Sequence, residues 1–519
     1  MHDHAHDARP RRPFFTPLKM IAIALLLGGA LFAWFVLSVI FADPNITTDY
    51  GTKANELARQ RQKMPAGAPD NWGLISEIAE KLSAAREAVA QRHPDVAPDA
   101  FDFTFLYTPD AKPYRDSFTA EQARQICREW LEEFRAAGGF DDLAKLPEIA
   151  FAARPYAQDT PLVLILLPEL GHARQLARMN AARMKLASDA GDEATRLAAF
   201  EQMLASARVI GAQLALIDNL VAVAINALAA SELRREIIER PLSERAALDL
   251  LAAMDRHPLP SVAGAFDGER YMTLDMIQRT YSDNGRGDGR FLPAAAADLD
   301  VMSTPQGTPG AGTSRVFNLM GLLQPGRAET VERANQIYDY YIKLASMTRP
   351  ERAALTGPDP AANIGRFKIL SLMLPAVGKA LESNDQITSE LAATRIMLAL
   401  EVHRARHNAY PATLAELAPA ILPALPIDAA NGKGFGYRLL DPATDPDNRG
   451  YLLYSFGADG VDNGGDMGAK PPVTALRATG GLDFVYNQPR ATPEASEAEA
   501  APTQENGSSD AGDGAATAP

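Results

Sequence analysis

Oxygen-bearing side chains crowd one short stretch near the carboxy terminus. Asp459, Asp462, Asn463 and Asp466 fall within eight positions, among Gly457, Gly460, Gly464 and Gly465. A hard cation such as calcium takes several carboxylate, carbonyl and water oxygens at once, and the glycines let the loop curl. The same residue types favour ordinary turns, where Asp and Asn bond their own backbone. Both readings stand on these residues alone. Elsewhere the chemistry is thinner. Glu169-x-x-His172 sets a carboxylate and an imidazole on one helical face, but a di-metal bundle needs two such motifs and two further Glu. His403-x-x-x-His407 sets two imidazoles one turn apart, yet Arg404 stands where a zinc protease carries Glu. His2, His4 and His6 read as a solvated polar tip, with a metal grip as the alternative. The richest charged stretch runs from Gly268 to Arg290 and holds Glu269, Arg270, Asp275, Arg279, Asp283, Arg286 and Asp288. Interleaved signs make either a solvated ion-pair surface or the edge of a ligand cleft. The sequence contains no Gly-x-Ser-x-Gly elbow, phosphate-binding loop or dinucleotide fingerprint.

The chain that must position these residues has 519 of them, with 51 Lys+Arg against 65 Asp+Glu and a net charge of −14. That acidity argues against broad nucleic-acid binding, which needs a basic face to displace counterions from phosphates. The single cysteine, Cys127, excludes an internal disulfide and any cysteine zinc cage. Hydrophobic residues at 47% supply a sizeable core, while aromatics at 7% and abundant alanine point to helix.

Met20 to Ala42 is a run of 23 residues without a charge. As a helix it spans roughly 35 Å, enough for a bilayer core of about 30 Å. Arg9, Arg11, Arg12 and Lys19 precede it; Asp43 and Asp49 follow. Positive charge stays in the cytoplasm, so residues 1–19 are expected as a cytoplasmic tail and 20–42 as a single anchor in the bacterial inner (cell) membrane. Everything after Asp43 is then extracytoplasmic. The run is longer than the roughly 7–15-residue core of a signal peptide, which favours an anchor over a leader cleaved at Ala42.

Residues 43–380 read as an α-helical domain, a bundle or short solenoid. Helix is expected over 52–92 with a break near Pro65–Pro69, and from Thr119, a capping box with Gln122, to Gly138-Gly139. Cys127 lies beside the apolar face of that helix and should pack as a small hydrophobe. An apolar start at Leu162–Leu167 leads into a helix to Ala187. Asp192 caps the next, to about Ala207. Val209–Ala230 is apolar nearly all round. Asp218, Asn219 and Asn226 would be costly in lipid, so a buried core helix is preferred to a second membrane span. Ser243 caps a helix ending near His257-Pro258, and further helices are expected over 265–281, 327–347 and 361–381. The segment 303–313 reads as a linker. From Asn384 the texture changes: one last helix to about His407, then short strands and turns through residue 487. Residues 488–519 form an acidic Ala, Glu, Pro, Ser and Gly tail without the means to bury a core.

Within 381–487 the residues come in a particular order. Asn408-Ala-Tyr-Pro411 ends the helix, because the residue before proline is pushed out of helical geometry. Leu414 and Leu417 follow, then Leu425-Pro-Ile-Asp428, and Asn431-Gly-Lys-Gly434 leads into Phe435-Gly-Tyr437. Tyr451-Leu-Leu-Tyr-Ser-Phe-Gly-Ala-Asp-Gly460 reads as a two-faced strand entering the acidic loop. This order closely resembles the globular head of the major pseudopilin (G-type) of type II secretion systems, over about 100 of the 519 residues. The resemblance implies an α+β head, a long helix on an antiparallel sheet. It also implies a calcium ion in the loop matching Gly457–Asp466, with Asp459, Asp462, Asn463 and Asp466 as ligands. Met467-Gly-Ala-Lys470 replaces the family's later acidic residues, which departs from its ligand spacing. The family's peptidase site and hydrophobic helix continuous with the head are also absent from the sequence: Phe14-Phe-Thr-Pro-Leu18 is only an echo, and the anchor lies far upstream. The whole chain is similar, more loosely, to membrane-anchored proteins of planctomycete-like bacteria, from which no activity carries over.

The sequence thus points to a mainly α, membrane-anchored envelope protein with a pseudopilin-like head, non-enzymatic, contacting other proteins in a structural or secretion-related role. The competing expectation is a hydrolase or ligand-binding protein with its site near Glu269–Asp288. A deep pocket with convergent acids there would favour the second, a shallow ion-paired surface the first.

Overall fold

The computed structural model describes residues 44–94, 120–157, 160–165, 167–292, 324–362, 377–468 and 482–488, with scattered positions within 21–34 and 364–374. The tail with its three histidines, most of the anchor, the Pro94–Tyr114 stretch beyond Pro94 itself, Thr119, the 303–313 linker and residues 489–519 lie outside the described residues. The described positions from Ile21 to Trp34 are helical, and their large apolar side chains are exposed.

Local signals set the first helices. Asp49 accepts from the Thr52 amide at 3.0 Å and starts α1 (Tyr50–Arg61). The Pro65–Pro69 stretch separates it from α2 (Trp72–Arg92). Helix α3 (Ala120–Ala136) lays Ile126, Trp130 and Phe134 against α2, and Cys127 is buried among them. Gly138, at φ 71°, turns the chain into the short α4 (Gly139–Leu143).

The bundle proper follows. Leu162–Leu164 makes a single 3-10 turn, and α5 (Pro168–Ala190) begins only at its proline, later than the apolar start implied. Gly191 (φ 70°) ends α5 and Asp192, accepting from the Thr195 amide at 3.0 Å, opens α6 (Glu193–Gly211). Helix α7 (Leu216–Glu239) stops before Pro241, and Ser243 caps α8 (Glu244–Arg256). By length and composition α7 could cross a membrane, but 67% of its apolar window is buried inside the protein. Helix α9 (Val262–Thr280) packs on α10 (Arg327–Ala345) around Phe266, Tyr281, Tyr338 and Tyr341, and the short α11 (Arg349–Ala353) follows.

One expectation fails here. Among the described residues of 361–376 only Leu370 and Ser371 are helical, and a 31-residue helix, α12 (Val377–His407), runs straight through Asn384. Pro358, Pro360 and Pro375 punctuate the earlier stretch, whereas Leu381-Glu-Ser-Asn-Asp385 carries no breaker. The texture change at Asn384 is compositional and does not end a helix. From Ala392 to Val402 only Arg395 escapes full burial, so α12 is covered on every side. It packs on α7 and α8 and also on the sheet. That sheet is three antiparallel strands in the order β1 (Gly436–Leu439), β2 (Tyr451–Ser455), β3 (Phe484–Val485), with Tyr437 opposite Leu453 and Ser455 opposite Phe484. A single hydrophobic cluster runs from Leu82 and Trp130 through Met203 and Leu250 to Met397, Leu453 and Tyr486. The helical part and the carboxy-terminal part share that core.

Candidate functional site

The carboxy-terminal unit is assembled round one buried carboxylate. Asp428 ends the Leu-Pro-Ile-Asp turn and is fully buried. It accepts from Ser389 of α12 at 2.6 Å, from the Ala430 amide at 2.9 Å, from Asn431 at 3.0 Å and from Ser455 of β2. Helix, turn and central strand are pinned at that point. A second buried carboxylate, Glu401 of α12, accepts from the Leu242 amide at 3.0 Å, from Arg404 at 2.9 Å and from the Tyr410 hydroxyl at 2.7 Å. It ties the end of α12 to the loop before α8.

Strand β2 alternates its two faces as expected, and all five of its residues are buried. Tyr451, Leu453 and Ser455 lie on the α12 side; Leu452 and Tyr454 are roofed by the acidic loop. The roof is close: a Cβ on Gly465 would sit 2.5 Å from Leu452 Cδ2, and its φ of 87° is one that other residues adopt only under strain. Inside this loop the expected ligands are turned onto their own backbone. Asp459 accepts from the Val461 amide at 2.9 Å and Asp466 from the Gly468 amide at 2.8 Å. Asp462 accepts from the Gly464 amide at 2.9 Å and the Tyr454 hydroxyl at 3.0 Å. Burial first, and then that hydrogen bond, pushes the Tyr454 phenol up to about 12. The Asn463 amide nitrogen donates to Asp483 Oδ2 at 2.9 Å, and the Gly465 nitrogen to the same oxygen at 2.6 Å.

Asp483 is the residue that sequence reasoning missed. It is fully buried, and its Oδ1 makes no hydrogen bond. Burial raises its pKa; the two amides oppose this, and the charges of Asp462 and Asp459 add to it. The available signal was an acidic residue directly before the short apolar run Phe484-Val485-Tyr486, but it stands far from the loop in sequence. Among the described residues no group of three or more His, Cys, Asp or Glu is gathered as a metal cage. The oxygens are nonetheless of the kind calcium takes, and Asp483 Oδ1 is one that the protein itself leaves unused.

The charged stretch from Glu269 to Asp288 is spent on structure. Glu269 accepts from the Leu216 amide at 2.7 Å, and burial raises its pKa. Asp275 holds Gln278, Arg279 and the Leu162 amide. Arg270 pairs with Asp339 at 2.6 Å. Asp283 takes the Gly285 and Gly287 amides and pairs with Arg327, while Asp288 takes the Ala328 amide at the start of α10. A cleft between α6, α7, α8 and α12 and a small cavity between α2, α5 and α6 are both lined by other residues. Glu169 is engaged by Arg154, whose other side makes a two-point pair with Asp218 at 2.8 and 3.0 Å. His172 lines a cavity of about 20 Å³, room for one water. The rings of His403 and His407 lie 4.4 Å apart and tilted by 40°, and His403 Nδ1 donates to the Ala409 carbonyl at 2.9 Å.

Fold and site together define a mainly α-helical protein that shares its core with a small antiparallel sheet, roofed by an acidic glycine-rich loop. No family model, no curated protein and no solved structure matches the chain.

Proposed function

We propose that this is a single-pass envelope protein of the bacterial inner membrane whose pseudopilin-like carboxy-terminal unit contacts other proteins, in a structural or secretion-related role. The order of residues from Tyr410 to Asp466 motivates the family likeness, and one observation carries the interaction reading. Among the described residues strand β1 is an edge of the sheet, and its Arg438 and Leu439 are exposed, with Leu439 at 49%. An unpaired strand edge offers backbone donors and acceptors to an added strand. Val461, in the acidic loop, is exposed as well. The unit is welded to the helical bundle through α12, so a partner held at β1 would be held rigidly by the whole molecule. Calcium belongs to this reading. Asp459, Asp462, Asn463 and Asp466, with Asp483, are the residues that would hold it, and it would stiffen the loop over β2. The anchor at 20–42 keeps the assembly at the membrane.

The test is a photo-crosslinking amino acid placed at Leu439 or Val461 of the full chain in its own cells. The expected outcome is a discrete protein adduct at one or both positions, with none from the exposed helical position Arg245. Adducts no different from those of Arg245 would end the interaction reading. An adduct with a protein unrelated to secretion would keep it and remove the secretion role.

A further inference from the structure

A cleft of about 290 Å³ opens between α6, α7, the end of α8 and α12. Leu204, Met254, Leu259, Leu391, Pro426 and Ile427 make its walls apolar. At the mouth Ile427 is 64% exposed and its neighbour Leu425 36%, an apolar rim where a turn is ordinarily polar. Asn226 of α7 lies in the lining and is itself only 2% exposed. Its Nδ2 donates to the Ala222 carbonyl one turn back, at 2.9 Å. Its Oδ1 accepts no hydrogen bond among the described residues. This oxygen is not one of the side-chain atoms buried without a partner, so it keeps contact with the cleft, where a ligand hydroxyl can donate to it in place of water.

The other polar groups of the lining are engaged. Thr388 donates to the Asn384 carbonyl at 2.7 Å, and Arg395 is paired with Asp255 at 2.5 Å. His257 sits between Arg208 and Glu201, at 3.3 and 3.2 Å. Arg395 and Arg256 are each held by a carboxylate, Asp255 and Glu201, so neither is left free to recruit an ion. Size and polarity then fix the ligand class. An apolar cavity of about 150 Å³ accepts one benzene, so a cleft of this size takes about two fused rings or a ten-carbon body. We propose that the cleft binds a small neutral alcohol or phenol, its hydrocarbon body against the walls and its hydroxyl donating to Asn226 Oδ1. This site lies between the bundle and the carboxy-terminal helix, where ligand pockets commonly form. It is independent of the acidic loop and of the partner reading above.

The probe is 2-naphthol, with 2-methoxynaphthalene as a partner of like bulk that has no donor. The full chain in lipid nanodiscs is examined by equilibrium dialysis against nanodiscs carrying Thr388→Trp, an exposed rim position where the indole fills the mouth; lipid partitioning cancels in the difference. The expected result is one saturable equivalent of 2-naphthol held by the wild type and lost in Thr388→Trp. 2-Methoxynaphthalene should bind about tenfold more weakly, the worth of one hydrogen bond. Asn226→Leu should erase that preference; if it does not fold, the probe pair and the rim variant decide. Equal retention in wild type and Thr388→Trp, or equal affinity for the two probes, overturns the proposal.

Discussion

At the scale of single residues, Asp428 and Asp483 are both buried carboxylates, and they differ in how they are satisfied. Asp428 has a donor for each oxygen from three segments of the unit. Removing it strands the Ser455 hydroxyl in the core, while the Ser389 hydroxyl keeps the Asp385 carbonyl and the Ala430 amide keeps Ser389 Oγ, so Asp428→Ala should cost about 3 kcal/mol in denaturant melts. A loss below about 1 kcal/mol would show that the pin carries little. Asp483 has two amides on Oδ2 and nothing on Oδ1. Asp483→Asn keeps an acceptor and removes the charge that burial penalises, so in EDTA the variant should melt no lower than wild type. With millimolar calcium the wild type should melt higher, because a ligand bound only by the folded state adds RT ln(1 + [L]/Kd), and the variant should not respond. A wild type indifferent to calcium would remove the metal from the loop. Local devices among these residues were legible in the sequence: Asp192 and Ser243 cap the helices expected of them, and Cys127 packs as a small hydrophobe. Asp483 and Glu401 were not, because their partners lie many residues away and no local pattern encodes them.

At the scale of elements, α7 shows what an apolar helix that is not a membrane span has to carry. Asp218 near its start is met by Arg154, and Arg234 near its end pairs with Glu390 of α12 at 3.2 Å. Glu236 has no such partner: it is 1% exposed, and neither carboxylate oxygen makes a hydrogen bond. Burial raises its pKa to about 7, with Ser188, Arg196 and Lys185 pulling the other way and Glu232 adding to the rise. The folded state therefore binds more protons than the unfolded chain between the ordinary glutamate value near 4.3 and about 7. Stability from this group is whole below that window, falls as pH rises through it, and is flat above. Glu236→Gln should be close to neutral at pH 4.5 and stabilising by about 3 kcal/mol at pH 8, measured as the wild-type minus variant difference across the series. A difference that does not change with pH would place Glu236 in water. Apolar patterning identified α7 as a core helix, yet it gave no hint which of its acids would be paired. Strand β2 shows the same limit: its alternation was legible, while nothing in the acidic loop that follows it showed that the loop folds back over the second face.

At the scale of the whole molecule, the sequence divides at residue 381 and the packing does not. The boundary drawn there falls four residues into α12, a helix with no break. One face of α12 receives β2, another receives α7 and α8, and Arg234, Arg395, Arg406 and Glu401 fasten it to the bundle side. Composition changed at Asn384 because the carboxy-terminal segment is rich in turns, and turn content says nothing about which neighbour covers a helix. A fragment of residues 381–488 would bare the bundle-facing side of α12, including buried positions among Ala393, Met397 and Leu400, and would leave Glu390 and Glu401 without Arg234 and the Leu242 amide. Apolar exposure on that scale costs about 25 cal/mol per Å², more than a unit of roughly 100 residues keeps in reserve. The expected outcome is that the excised fragment is unfolded or aggregated by circular dichroism and proton NMR. The full chain should lose the tyrosine-rich near-ultraviolet signal of the sheet together with its helical signal, in one transition. A dispersed spectrum from the fragment, or a sheet that melts apart from the bundle, would restore the picture of a head grafted behind a helical domain. A coincident transition would mean that whatever the β1 edge holds is coupled to the stability of the entire bundle.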